Sequence, residues 1–398
     1  MVIGIDASRA NQEKRTGTEW YSFYILQELK KIIPSEHQVI LYTKEKLKAD
    51  LAELPKNWKV KILNWPPKFL WTQFRLSWHL LWHKIDLLYI PAHTIPFVHP
   101  KKIALVVHDV GFHRQDKLYN DQTIGYQAPL AKKIINFLVR FATLGKYSAR
   151  EQDYHQFSMK QAAKHATKII TPSHFSKKEI LDIYSLDANN ITVIPNGFCQ
   201  RAHKIEKTAT AESLFKKYKI ASPFLLFIGR IEYKKNIPKL IEAFHLLKTK
   251  YHFPGFLVLA GSPGYGFEAI QEKITKYNLK EQVLIPGWVN EQDLAQMIKT
   301  ATVFVFPSLY EGFGIPVLEA MEEKIPVACS AIPALLETAQ NAALFFDPNS
   351  AINMAETINI LINQKEVREK LIKLGQEQIK KFSWHNSALT TWNLLKNL

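Results

Sequence analysis

Twelve short apolar runs separated by longer stretches of helical periodicity constrain this chain more than any other feature. The first six are Val2–Ile5, Gln38–Tyr42, Leu87–Ile90, Ile103–His108, Lys168–Thr171 and Thr192–Ile194. A second six follow at Phe224–Ile228, Gly255–Ala260, Val283–Ile285, Thr302–Pro307, Val327–Ser330 and Ala343–Phe346. Strands that are apolar on both faces and alternate with helices build parallel α/β sheets. Two series predict two doubly wound domains, at 1–200 and 221–380, with a Lys-rich linker at 201–220 that leads into a short helix. The tail 381–398 predicts a last helix, with Ala388, Leu389, Trp392 and Leu395 at helical spacing. In open α/β sheets, ligands sit beyond the carboxyl ends of the strands, so motifs there carry the most weight.

Composition narrows the class. Hydrophobic residues make up 47% and charged residues 22%, which is globular rather than disordered. The two cysteines, Cys199 and Cys329, are too few for a disulfide scaffold and have no zinc-ligand spacing, so both read as thiols of a reducing compartment. The opening segment lacks the basic and apolar regions of a signal peptide, and no run is long enough to span a membrane. The expected location is cytoplasmic, with a peripheral membrane position at the inner face of the plasma membrane as one form of it.

The most informative stretch is Pro307–Met321, reading Pro-Ser-Leu-Tyr-Glu-Gly-Phe-Gly-Ile-Pro-Val-Leu-Glu-Ala-Met after a buried strand. Pro316 suits the start of a helix, where its missing N–H costs nothing. Glu311 then lies in a loop and Glu319 in the helix. Between them, the N–H groups of the glycine loop and the helix N-terminus suit an anion. A carboxylate on either side can accept from paired sugar hydroxyls. The alternative is a glycine turn leading into a surface helix with ordinary acids. Arg230 and Lys235 follow another strand end, and two cations there suit a diphosphate, each charge-assisted bond contributing roughly 1.5–3 kcal/mol. No Asp-x-Asp triplet follows an apolar strand, and the Glu-Gln-Asp triplets at 151–153 and 291–293 sit in helical or capping contexts, so no metal is expected.

Glu311-x7-Glu319 within Tyr-Glu-Gly-Phe-Gly-Ile-Pro-Val-Leu-Glu-Ala-Met closely resembles the signature of retaining GT-B glycosyltransferases of the family 4 type. The likeness extends to Phe227–Asn236, Leu257–Gly261, Ile285–Trp288, Thr171–Ser176, Val193–Gly197 and Val106–Asp109. It implies two Rossmann-like domains facing across a cleft, an acceptor-binding first domain, and a C-terminal helix crossing back to it. It also implies transfer of a hexose such as mannose or glucose, with retention and without metal or other cofactor. The donor would be a nucleotide-diphosphate sugar and the acceptor a saccharide or lipid-linked group of envelope polysaccharide or glycolipid synthesis. By resemblance, Arg230 and Lys235 clamp the diphosphate, Glu311 holds sugar hydroxyls, and Glu319 holds the ribose. Gly312, Phe313 and Gly314 supply the donor loop, while Gly261, Trp288 and Val289 frame the base. His108 would face the reacting sugar. Gly17, Asp109 and His93 would line the acceptor or phosphate side, although Gly17 also suits a helix start and Asp109 a cap. The rival readings are a GT-B nucleotide-sugar epimerase and a non-catalytic sugar- or membrane-binding scaffold.

The formal charge of +16 is uneven. Residues 1–200 carry 28 Lys+Arg against 17 Asp+Glu. Lys56, Lys59, Lys61, Lys68, Arg75 and Lys84 lie in a stretch with no acid and five of the nine tryptophans: Trp58, Trp65, Trp71, Trp78 and Trp82. Rings interleaved with cations favour an anionic lipid interface through residues 56–84 over nucleic acid, with Lys132–Arg140 as a second contributor. A packed helix through Trp71, Arg75, Trp78 and Trp82 is the competing reading.

Overall fold

The computed structural model describes residues 1–13, 15–65, 70–114, 150–198 and 210–398, with 118, 119, 133, 136, 137, 139, 140, 147 and 148 between. Cys199, Lys68 and, within the 132–140 pattern, residues 132, 134, 135 and 138 lie outside the described residues. The chain divides into two compact units, Met1–Gly197 with Ser383–Leu398, and Phe198–Phe382.

The first unit holds a seven-stranded parallel sheet. Its strands are β1 (Val2–Asp6), β2 (Gln38–Thr43), β3 (Trp58–Ile62), β4 (Leu87–Ile90), β5 (Lys102–Val106), β6 (Lys168–Thr171) and β7 (Ile191–Val193), in spatial order β3-β2-β1-β4-β5-β6-β7. The second unit holds six parallel strands: β8 (Phe224–Ile228), β9 (Phe256–Ala260), β10 (Val283–Gly287), β11 (Val303–Phe306), β12 (Val327–Ser330) and β13 (Leu344–Phe346), in order β10-β9-β8-β11-β12-β13. Central strands such as Leu87–Ile90 and Val303–Phe306 are buried at every position, because helices cover both faces. Strand order reverses between β1 and β4 in one sheet and between β8 and β11 in the other. Those two points are where a doubly wound sheet opens a crevice.

One strand was not expected. Trp58-Lys-Val-Lys-Ile forms the edge β3, paired to β2 with Val39 opposite Trp58. Trp58 is buried, while Lys59 and Lys61 face solvent, which protects an edge from further pairing. The basic, aromatic composition of 56–84 therefore divides. Trp58 and Trp71 are core residues, and the Trp71 indole donates to the Leu63 carbonyl at 2.8 Å. Trp78 and Trp82 are 65% and 70% exposed. Neither a lipid-facing stretch nor a packed helix describes all five tryptophans.

The short helix expected after the linker is present. Ala211–Tyr218 is a helix of the second unit, with Leu214 and Ile220 in that unit's core. Its end is tied down by Asp293, which accepts from Lys217 Nζ at 2.6 Å and Tyr218 Oη at 2.7 Å. The last helix, Trp384–Lys396, belongs to the first unit and packs on Gly17–Ile32. Trp384 meets Tyr21 and Tyr24, and the Ser387 hydroxyl donates to the Pro195 carbonyl at 2.5 Å. Ala388, Trp392 and Leu395 are buried as expected, but Leu389 is 42% exposed. Only glycine fits at 197, because a Cβ there would lie 2.3 Å from the Trp384 nitrogen.

Candidate functional site

In the second unit the loops after β8 and β11 meet at the point of strand-order reversal. Gly229 has φ +148 and Gly261 has φ +158, and a Cβ on Gly261 would lie 1.8 Å from the Gly229 carbonyl oxygen. These two turns can approach only as glycines. The chain then passes Arg230 and a short turn, Tyr233–Lys235, into the helix Ile237–Thr249, with Asn236 held in the left-handed region at φ 56. Asn236 is fixed by its side-chain amide, which donates to the Pro348 carbonyl at 2.8 Å. Across the reversal, the loop after β11 brings Glu311 to Lys235, with Nζ 2.5 Å from Oε1. The side chains retain 17% and 12% of their exposure, so this is a mostly desolvated pair. Arg230 stays exposed, its Nε 3.6 Å from Glu232 Oε2.

Gly314, at φ +106, precedes the helix Ile315–Glu322, and a Cβ there would strike Leu335. Phe313 packs edge-on against Phe382, and its carbonyl accepts from Thr338 at 2.7 Å. The loop is thus braced from behind. Pro316 is the second residue of this helix rather than the first, and Glu319 is buried one turn in. Trp288 is 44% exposed beside Gly287, which has φ +74, and Val289 is buried. Asn290 caps the helix Glu291–Thr300 and donates to Asp293, so the carboxylate of the 291–293 triplet is engaged by three protein groups.

In the first unit, His108 follows β5. Its Nε2–H donates to the Pro91 carbonyl at 3.3 Å, and Tyr21 packs edge-on at 4.7 Å. Desolvation pulls its pKa down to about 4, so the ring is neutral near pH 7. His93 contacts His155 through Nε2 and Nδ1 at 2.9 Å, and desolvation holds it well below the usual histidine value. Asp109 accepts from the Gly111 N–H at 3.1 Å and from the Tyr119 hydroxyl at 3.4 Å, which is the capping alternative. Gly17 is the first helical residue and has open space where a Cβ would go. Ser173 caps the helix His174–Tyr184 by accepting from the Ser176 N–H.

The sequence profile described as Glycosyltransferase Family 4 matches residues 15–199, and that described as Glycosyl transferases group 1 matches 211–378. The chain belongs to the GT-B glycosyltransferases. The O-antigen chain mannosyltransferase B of Escherichia coli is 29% identical over 306 residues, covering 76% of this chain and 78% of that one. Sucrose-phosphate synthase from Thermosynechococcus elongatus aligns over 100% of this chain and 98% of its own, at a TM-score of 0.70 and 18% identity. Anabaena HepE in complex with UDP-glucose covers 100% and 99%, at a TM-score of 0.68 and 15% identity. These last two likenesses concern the fold.

Within this glycosyltransferase, Lys235, Glu311, Gly312, Phe313 and Gly314 gather at the second unit's reversal point, with Arg230 and Gly261 on adjoining strand ends. His108, His93, Asp109 and Gly17 belong to the first unit. Sequence reasoning pointed to the strand end at His93 but not to Asp6, Lys44, Gln73 and Tyr154, which with Trp71 and Thr94 line a cavity of about 490 Å³ at that unit's own reversal point. Asp6 and Lys44 stand at the ends of β1 and β2, a positional signal that was available. Gln73 and Tyr154 lie 81 residues apart and meet only in the fold.

Proposed function

We propose that this glycosyltransferase moves a hexose from a nucleotide-diphosphate sugar to a saccharide or lipid-linked acceptor of envelope polysaccharide synthesis, with retention at the anomeric carbon and without a metal. The observation that carries the proposal is the Lys235–Glu311 pair at the carboxyl edge of β8 and β11. An incoming donor would divide the pair. The diphosphate would take Lys235 and Arg230, and the sugar hydroxyls would take Glu311. Backbone N–H groups of Gly312–Gly314 would meet the phosphate, and Glu319 would anchor the ribose. Fixed cations then stabilise the charge that develops as the nucleoside diphosphate leaves. His108, neutral through desolvation, would face the reacting sugar as a hydrogen-bonding group. Retention fits a same-face departure in which the leaving phosphate assists deprotonation of the acceptor, so the protein supplies positioning more than a base. The similarity to an O-antigen mannosyltransferase makes mannose the first donor sugar to test, with glucose second.

A panel of GDP- and UDP-sugars tests this reading by nucleotide release and thermal shift. A ligand at 100 times its dissociation constant stabilises by about 2.7 kcal/mol. A flat panel in both measurements would overturn the assignment.

A peripheral membrane contact is a second part of the proposal. Phe74, Trp78, Leu81 and Trp82 line one exposed helical stripe, and Lys59, Lys61 and Lys84 of the same stretch of sequence are also exposed. Rings at headgroup depth flanked by cations suit an anionic lipid surface. No helix among the described residues is long and apolar enough to cross a membrane. Sedimentation with anionic vesicles should weaken as salt rises and should fall for Trp78→Ala/Trp82→Ala. Equal binding by that variant would remove the stripe from the account.

A further inference from the structure

The Phe313–Gly314 peptide lies in the loop that leads into the helix Ile315–Glu322, and its orientation is set from outside that loop. We propose that Thr338 is a positioning residue for glycosyl transfer, turning this peptide so that the Gly314 N–H is presented to the diphosphate of the donor. The proposal rests on the glycosyl-transfer reading above and adds to it a residue that no motif of the loop contains.

Glycines at 312 and 314 leave the backbone at Phe313 free to rotate, because neither restricts it through a Cβ. Gly314 itself sits at φ +106 and ψ 47. Two contacts remove that freedom. The Phe313 ring packs edge-on against Phe382, with centroids 5.5 Å apart. That contact fixes the ring and leaves the following peptide plane undefined. The plane is defined by the Phe313 carbonyl, which accepts from Thr338 Oγ1 at 2.7 Å in a buried bond. A trans peptide holds its C=O and the next N–H antiparallel. With the carbonyl turned to Thr338, the Gly314 N–H points away from the helix Pro333–Ala339. Gly314 is buried, and its N–H meets no protein acceptor among the described residues. A buried N–H without a protein partner calls for an acceptor from elsewhere, and a phosphate oxygen is one.

Thr338 is held in turn. It is 1% exposed and lies in the last turn of its helix. A helical threonine commonly turns its hydroxyl back to the carbonyl of the preceding turn. This one reaches instead to a residue 25 positions away. The Thr338 carbonyl is among those that a helix end leaves open, and Gln378 Nε2 donates to it at 2.8 Å. Gln378 is 4% exposed, and its Oε1 accepts from Lys381 Nζ at 2.8 Å. Both ends of that amide are engaged, so the brace has one geometry.

Phe313–Gly314 is the only Phe-Gly step in the sequence. Phenylalanine labelled with carbon-13 at the carbonyl and glycine labelled with nitrogen-15 therefore give a single carbonyl-coupled amide signal, from this peptide. The full chain is titrated with GDP and with UDP. In the wild type the signal should move saturably with one of them, and it should do the same in Thr338→Ser, which keeps the hydroxyl. In Thr338→Val, which keeps the shape and loses the donor, the free-state signal should be displaced and its response to nucleotide lost. With the best donor, Thr338→Val should lower kcat/KM about 10–10²-fold and Thr338→Ser about twofold at most, because small misplacements near the chemistry cost that much. If Thr338→Val does not melt cooperatively, Gln378→Met replaces it and should displace the same free-state signal. The proposal is overturned if a nucleotide raises the melting temperature of the wild type yet leaves this signal unmoved. It is also overturned if the folded variant responds and turns over as the wild type does. A wild type whose melting temperature neither nucleotide raises overturns the glycosyl-transfer reading itself, and the role of Thr338 with it.

Discussion

The two sheets reverse their strand order at one point each, and the lysines found there are in opposite states. Lys235, in the second unit, is held by Glu311 at 2.5 Å. Lys44, in the first, lies half-buried with no ion-pair partner among the described residues. A paired cation is pre-organised and keeps its desolvated carboxylate compensated, so a ligand there must offer enough to both partners to separate them. A nucleotide sugar carries a diphosphate for one and hydroxyls for the other. An ammonium that rests only over the Trp71 ring is not committed to any carboxylate.

The largest expected effect falls on the paired site. Lys235→Ala and Glu311→Ala should each lower kcat for transfer about 10²–10³-fold, the usual cost of losing one preorganised electrostatic group. Steady-state kinetics with the best donor measures it. Turnover within a factor of two of wild type would break the contrast between the sites. A double-mutant cycle for folding sharpens it further: the coupling between Lys235 and Glu311 should reach about 0.5–3 kcal/mol, as for other residues in contact.

A smaller effect separates the glycines of the two units. Gly261→Ala puts a Cβ on the Gly229 carbonyl and should cost about 2–4 kcal/mol in denaturant unfolding, within the range of backbone strain and overpacking. Gly17→Ala meets open space at a helical position and should stabilise by about 0.5–1 kcal/mol. If Gly17→Ala also abolishes transfer, the first loop approaches a substrate after all.

Acidification probes the first unit. The folded pKa of His108 is about 4 against 6.5 for an unfolded imidazole, and those of His93 and His79 are also lowered by desolvation. Between pH 6.5 and 4 the unfolded chain binds more protons at these rings, so stability falls as pH falls through that window. The Tm should therefore drop from pH 6.5 to 4, and His79→Gln should make the drop shallower. A Tm that is flat across the window would contradict the desolvated setting of these rings.

Much of the architecture was legible because a strand buried on both faces has to be apolar throughout. Leu87–Ile90, Phe224–Ile228 and Val327–Ser330 stand where the sequence placed them. Trp58–Ile62 was hidden because an edge strand alternates, and its lysines resembled a surface patch. The short helix expected at the end of the linker is Ala211–Tyr218, but its polar composition, with only Leu214 buried, did not show that it packs into the second unit. At the candidate site, motif spacing pointed to Glu311, Lys235 and the glycine loop, because one strand end carries each group locally.

The sequence by itself determined the number of sheets, their parallel character, and which loops stand at their carboxyl edges. Periodicity and strand-end position are local properties of the chain. Tertiary structure alone decided that Lys235 and Glu311, 76 residues apart, form one desolvated pair. It alone placed Gln73 against Tyr154 and set the Lys44 ammonium over the Trp71 ring. Pairing and burial depend on what distant segments bring to one place, and no local pattern encodes that.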